Sequence, residues 1–223
     1  MTGIYDSGRG GENTATHLRK IQAKEDIVLF CDRKNAPFGT KRPEELATLL
    51  SLAIEKLSSF GADKILIGCC TMCTVLDGLA EEYKSRCFEI ITPAALAAME
   101  KSNGKIAVLS TKRTAESRAF SKKLYECGFS GKVCEIPAGE LVEIAERGYS
   151  HPRDKRKLSR YASEIESTGA DTLILGCTHF GSLEKELCRL LPTVEIIDAA
   201  REGALAFTKA HPYVSGNGRF IKM

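Results

Sequence analysis

Gly61-Ala62-Asp63-Lys64-Ile65-Leu66-Ile67-Gly68-Cys69 recurs further along the chain as Gly169-Ala170-Asp171-Thr172-Leu173-Ile174-Leu175-Gly176-Cys177. Each copy follows a stretch of helical periodicity: Leu46, Leu49, Leu50, Ala53, Ile54 and Leu57 before the first, and Leu158, Tyr161, Ala162 and Ile165 before the second. Apolar residues spaced by three and four share one face of a helix. A glycine-containing turn then ends the helix, and the short apolar run predicts a strand. Gly-Cys closes that strand just before another helical stretch. The chain reads as two related halves, each carrying a cysteine at the C-terminal end of a strand.

Working outward, Gly3 to Tyr5, Ile27 to Cys31, Ile106 to Leu109, Val133 to Ile136 and Val194 to Ile197 are further β-rich runs. Strands that alternate with helices imply an α/β fold of largely parallel, doubly wound sheets. We expect a first half over residues 1–98 and a second over 99–200, with the boundary near Pro93 to Lys105. A C-terminal segment, 201–223, is expected to pack back on the first half. In such sheets ligands bind beyond the strand C-termini, where the next helix presents its N-terminal N–H groups. Cys69 and Cys177 then flank one cleft, and the helix ends predict thiolate character at both.

With 223 residues the chain can bury a substantial core. Its 32 Lys and Arg nearly balance 29 acids, and no basic block suggests a nucleic-acid partner. The densest run, Arg153 to Arg160, is interrupted by Asp154 and Leu158 and reads first as a solvated helix face. The start, MTGIYDSGRGG, reaches glycines before an apolar region forms, and no apolar run approaches membrane-spanning length. These features predict a cytoplasmic protein with no membrane contact. Nine cysteines without small-domain spacing point to reduced thiols rather than a disulfide framework.

Two opposed cysteines suit removal of an α-proton from one face of an amino acid and return of a proton to the other. One is thiolate while the other is thiol, and the roles swap with the direction of reaction. The carbanion needs its carboxylate held by oriented donors, and the hydroxyls of Ser7, Thr71, Thr111, Thr114 and Thr178 are candidates. His179 reads equally as a general acid, a thiol-activating partner or a helix-start residue. Cys70-Thr71-Met72-Cys73 has CxxC spacing, so redox or metal chemistry through Cys69, Cys70 and Cys73 competes. No second local pair at ligand spacing supports a structural zinc site, and no metal is expected. Asp6-Ser7-Gly8-Arg9-Gly10-Gly11 lacks the spacing of phosphate-binding loops and reads as a tight turn presenting Asp6 and Ser7.

These residues together resemble the aspartate/glutamate racemase family, most of all its glutamate racemases, over nearly the whole chain. Asp6 to Gly11 is similar to the family's DSGxGG signature. Asp32 with Pro37-Phe38-Gly39 resembles its aspartate and Pro-Tyr-Gly loop, and Gly68-Cys69-Cys70-Thr71 its Ala-Cys-Asn-Thr. Ser110-Thr111 to Thr114 resembles the threonine loop, and Leu175-Gly176-Cys177-Thr178-His179 the second cysteine signature. Asp198-Ala199-Ala200 and Ser215-Gly216 echo later landmarks.

The resemblance implies two halves related by a pseudo-twofold, no cofactor, and interconversion of L- and D-glutamate by Cys69 and Cys177. Asp6 and His179 are implied as their respective helpers, with Glu146 a further acid near the second. Ser7, Asp32, Pro37, Phe38, Gly39, Cys70, Thr71, Thr111, Thr114 and Thr178 are implied substrate-binding residues. Homodimers and, in bacteria, supply of D-glutamate to the cell wall are implied as well. Four departures stand out: Cys70 in place of asparagine, Phe38 in place of tyrosine, bulky Met72 and Cys73, and Phe180-Gly181 in place of Tyr-Pro. A thiol is a poorer hydrogen-bonding partner than an amide. Racemisation of aspartate or another amino acid, and a catalytically impaired binding or regulatory homologue, are the alternatives this raises.

Overall fold

The computed structural model describes residues 1–212 and 216–223. Among the described residues nine strands form two sheets. The first holds β1 (Thr2–Asp6), β2 (Ile27–Cys31), β3 (Lys64–Ile67), β4 (Cys87–Phe88) and β9 (Phe220–Lys222), in the order β4-β3-β1-β2-β9. The second holds β5 (Lys105–Ser110), β6 (Lys132–Pro137), β7 (Thr172–Gly176) and β8 (Glu195–Asp198), in the order β6-β5-β7-β8. Every pairing is parallel. The fold is the doubly wound α/β architecture expected from the sequence.

The two sheets repeat one topology, with β1, β2, β3 and β4 corresponding in order to β5, β6, β7 and β8. In each, the chain steps from the first strand to one side, then crosses back to the other. That reversal falls between β1 and β3 in one sheet and between β5 and β7 in the other. The crevice beyond the strand ends at such a reversal is where doubly wound folds bind ligands. Cys69 follows β3 and Cys177 follows β7, so the repeated Gly-Cys occupies equivalent places.

The two repeat helices form for reasons visible in their sequences. Pro43–Ser59 starts with proline in its first turn and Glu44 and Glu45 beside its N-terminus, and buries Leu46, Leu50, Ala53, Ile54 and Leu57. Pro152–Thr168 is capped by His151, whose Nδ1 accepts from Arg153 N (3.4 Å) while its own N–H donates to Asp154 Oδ2 (3.0 Å), and buries Leu158, Tyr161, Ala162 and Ile165. Each fully buried leucine or isoleucine contributes roughly 1.5–3 kcal/mol. Gly61 (φ 87°) and Gly169 (φ 68°) end these helices in the left-handed region, where a side chain would be strained.

The basic run Arg153 to Arg160 lies on the second of these helices. Lys157 Nζ is 3.1 Å from Glu140 Oε2, and Arg160 also pairs with Glu140 while lying over the Tyr161 ring. Asp154 and Leu158 turn inward. Two of the run's five cations thus share one acid on the neighbouring helix.

One core joins the halves. Ile4 of β1, Ile106 of β5 and Ile174 of β7 belong to the same buried cluster as Leu18, Ile91, Ala94, Ala95, Phe120 and Phe207. The helices Ile91–Lys101 and Ala199–Ala210 pack on each other inside it, and Arg9–Ile21 packs on Ala199–Ala210 and on the turn after Cys177. The C-terminal strand β9 runs beside β2. Among the described residues no helix is long and apolar enough to cross a membrane.

Candidate active site

Cys69 and Cys177 line a single cleft of about 470 Å³. Each precedes a tight turn: Cys69 O accepts from Cys73 N (3.1 Å), and Cys177 O accepts from Phe180 N (2.9 Å). Both side chains are buried to all but a small opening, at 7% and 6% exposure. The glycines ahead of them sit in tight surroundings. A Cβ at Gly176 would lie 2.8 Å from Phe120 Cε2, and one at Gly68 would lie 3.1 Å from Ile4 Cγ2.

Ser7, Pro37, Phe38, Gly39, Cys70, Thr71, Thr111, Glu146 and His179 line the same cleft, which with the two thiols brings together eleven of the residues singled out from the sequence. Four others stand behind the wall. Asp32 accepts from Tyr5 Oη (3.1 Å) and Asn35 Nδ2 (2.9 Å), so it shapes the loop leading to Pro37. Thr178 Oγ1 donates to Asp6 Oδ2 (2.9 Å), a bond between the halves that commits its hydroxyl proton. Thr114 closes a hydroxyl triangle: Thr111 Oγ1 is 3.0 Å from both Thr71 Oγ1 and Thr114 Oγ1, which are themselves 3.2 Å apart. Thr71 follows β3 and Thr111 follows β5, so this triangle ties the two sheets at the cleft floor.

Asp6, the fourth, is fully buried and also accepts from Gly8 N (2.9 Å). Burial raises its pKa, against the lowering influence of His179. Cys69 is likewise pushed well above its ordinary value, first by burial and then by the charge of Asp6. This corrects the expectation of thiolate character there. The helix that Cys69 introduces is only Cys70–Cys73, too short to offset desolvation.

Cys177 has a different partner. His179 Nδ1 lies 3.7 Å from its sulfur, and His179 Nε2 donates to Glu146 Oε1 (2.6 Å). Burial by itself would lower the imidazole pKa, but the hydrogen bonds to Cys177 and Glu146 prevail and raise it. The bond from His179 is also the main reason Glu146 falls to about 2. Arg9 N donates to the same Glu146 oxygen (2.9 Å), so a residue following β1 steadies the acid that orients the second site's imidazole. Glu146 carries a sequence signal only as Glu-Arg-Gly; its pairing with His179 arises from the tertiary fold. Arg33, Ala36, Thr40, Lys112, Gly139 and Val142 complete the lining and were not singled out from the sequence.

Of the two cysteines in the CxxC spacing, only the first, Cys70, lines the cleft. Cys73 does not, and its Sγ donates to Ile67 O (3.7 Å). All nine cysteines are free. Asp198 caps Ala199–Ala210 through Ala200 N (3.0 Å), and its Oδ2 lies 3.4 Å from His17 Nε2. Of the landmark Ser215-Gly216, Ser215 lies outside the described residues.

A family model for Asp/Glu/Hydantoin racemases matches residues 12–206, most of the chain. The chain belongs to this racemase family. The glutamate racemase of Aquifex pyrophilus is 32% identical over 221 residues, covering 97% of this chain and 84% of the relative. That of Clostridium novyi is 31% identical over 202 residues, covering 89% and 78% respectively. Among solved structures, a glutamate racemase isoform of Bacillus anthracis superposes with a TM-score of 0.91 at 26% identity, covering 100% of this chain and 86% of that one. Both racemase-type sheets are therefore present along the full length of the superposition.

Proposed function

We propose that this chain is a cofactor-independent glutamate racemase in which Cys69 and Cys177 exchange protons with opposite faces of the substrate α-carbon. One observation carries the reading: two thiols from equivalent strand ends line one cleft, and each has its own acid-base neighbour. When one sulfur is thiolate it takes the α-proton, and the other, as thiol, delivers its proton to the opposite face. The enzyme then holds the mirrored protonation state, so the reverse reaction uses the same groups. Burial favours the thiol form of Cys69. His179, oriented by Glu146, can pass a proton to or from Cys177, and Asp6 stands behind the first thiol. The hydroxyls of Ser7, Thr71 and Thr111 and the backbone around Pro37, Phe38 and Gly39 hold the substrate. Thr114, Thr178 and Asp32 position these groups from behind, and Cys70 fills the place of the family's asparagine.

Residues 1–98 and 99–200 act as the two catalytic halves, with 201–223 closing against the first; the membership of β1–β4, β5–β8 and β9 in the sheets supports this division. The family resemblance supports a homodimer working in the cytoplasm and supplying D-glutamate for cell-wall synthesis. Chiral separation of products tests the activity. With no cofactor added, L- and D-glutamate should each approach an equal mixture, faster than the enantiomers of aspartate do. Stabilisation against heat by glutamate with no product from either amino acid would contradict the reading and make the chain a binding protein.

A further inference from the structure

The rim of the cleft carries two cations whose ion pairs, among the described residues, are with acids outside its lining. Among the described residues the lining contains one carboxylate, Glu146, already engaged by His179 Nε2 (2.6 Å) and Arg9 N (2.9 Å). Two cations share that lining, one from each half. Arg33 sits in the loop after β2, and Lys112 is the first residue of the helix Lys112–Ser117 that follows β5. Their partners are loose and solvated: Arg33 Nη2 is 3.4 Å from Glu12 Oε1, and Lys112 Nζ is 3.7 Å from Glu116 Oε1. The side chains are 61% and 74% exposed. Pairs of this kind contribute little, so either arm can leave its partner for a better-placed anion. Glu12 is moreover shared with Lys222.

The two arms are close enough to the chemistry to matter. The charge of Arg33 is among the influences lowering the pKa of Glu146. A Cβ at Gly39 would lie 2.9 Å from Thr111 Cβ, so the loop after β2 and the start of the Lys112 helix already touch. Between them the cleft offers thiols, hydroxyls and the apolar Phe38 and Val142.

We propose that Arg33 and Lys112 are specificity-determining residues that close from the two halves onto the distal carboxylate of an acidic amino acid. They select the dianionic substrate over its amide. Arginine can grip a carboxylate with two parallel hydrogen bonds, whereas lysine supplies a mobile point charge. The inference rests on the racemase reading for its reaction, and its test separates the two.

Racemisation of L-glutamate and L-glutamine is measured for wild type, Arg33→Met, Lys112→Met and the double variant, with calorimetric titration of D-glutamate and D-glutamine alongside. Methionine keeps an apolar stem and removes the charge. The glutamate KM should rise roughly threefold in each single variant and about tenfold in the double, as loss of exposed charge pairs allows. The kcat should change by less than about twofold, because the lost interaction is common to ground and transition states. The D-glutamate Kd should follow the KM, values for glutamine should not move, and high salt should bring wild type toward the double variant.

Unchanged glutamate KM and Kd in the double variant, or an equal loss with glutamine, would overturn the proposal while leaving the racemase reading standing. Charge-dependent binding of D-glutamate without turnover would support the proposal and remove the racemase reading.

Discussion

Replacing either thiol alone, Cys69→Ser or Cys177→Ser, should lower glutamate racemisation by about a thousandfold, within the range that positioned acid-base groups contribute. A serine hydroxyl is close to the thiol in size but far less acidic, so it neither takes the α-proton nor returns one efficiently. Both positions are nearly closed to solvent, at 7% and 6% exposure, which keeps water from substituting for the missing group. The two losses should be of similar size although the neighbours differ, Asp6 on one side and the His179–Glu146 pair on the other. Each turnover requires one proton removed and one delivered, and neither half-step proceeds without its sulfur. The assay is chiral separation at matched protein concentration, with thermal unfolding showing that each variant keeps its fold. Near wild-type racemisation by either variant would remove the two-base assignment.

Gly10→Ala should be the most damaging change outside the thiols, lowering activity by roughly a hundredfold, as small displacements of catalytic groups do. Gly10 lies in the helix Arg9–Ile21, where propensity alone favours alanine by about 1 kcal/mol. The packing reverses that sign. A Cβ there would run into the Thr178 hydroxyl and lie 2.9 Å from His179 Nδ1 and 3.0 Å from Asp6 Oδ2. Gly10 is not among the glycines with positive φ, so the cost is crowding rather than backbone strain. Overpacking typically costs about 1–3 kcal/mol, and each kcal/mol lowers Tm by about 2–4 °C in a domain of this size. Gly78→Ala, whose Cβ meets nothing within 4 Å, is the control and should leave activity unchanged. A Gly10→Ala enzyme as active and as stable as wild type would show that the turn after Cys177 has room to move.

The repeated Gly-Cys segment made the architecture legible because a short apolar strand, a positive-φ glycine and a following turn are all local features. The strand ends at Ile27–Cys31 and Lys64–Ile67 fall where the sequence predicts them for the same reason. Cys87–Phe88 and Phe220–Lys222 are different. They are two and three residues long, and only pairing with β3 and β2 makes them strands.

The site shows the same division. Residues at strand ends, such as Ser7, Thr71 and Thr111, could be found from position. The bonds that cross between halves could not: Thr178 to Asp6, Arg9 to Glu146, and the Thr71–Thr111–Thr114 triangle join groups far apart in sequence. The protonation of Cys69 departs from the sequence expectation because helix position is local, whereas the desolvation that dominates it arises from tertiary burial. Arg33 and Lys112 passed unnoticed as ordinary surface charges, since only their convergence on one rim distinguishes them.

The most direct test of two opposed bases is the isotope content of both enantiomers early in the reaction of L-glutamate in D2O. Two thiols on opposite faces predict D-glutamate carrying deuterium at the α-carbon while the remaining L-glutamate still carries protium. Product that retains the substrate's own proton, or deuterium entering both enantiomers at equal initial rates, would mean that a single base serves both faces.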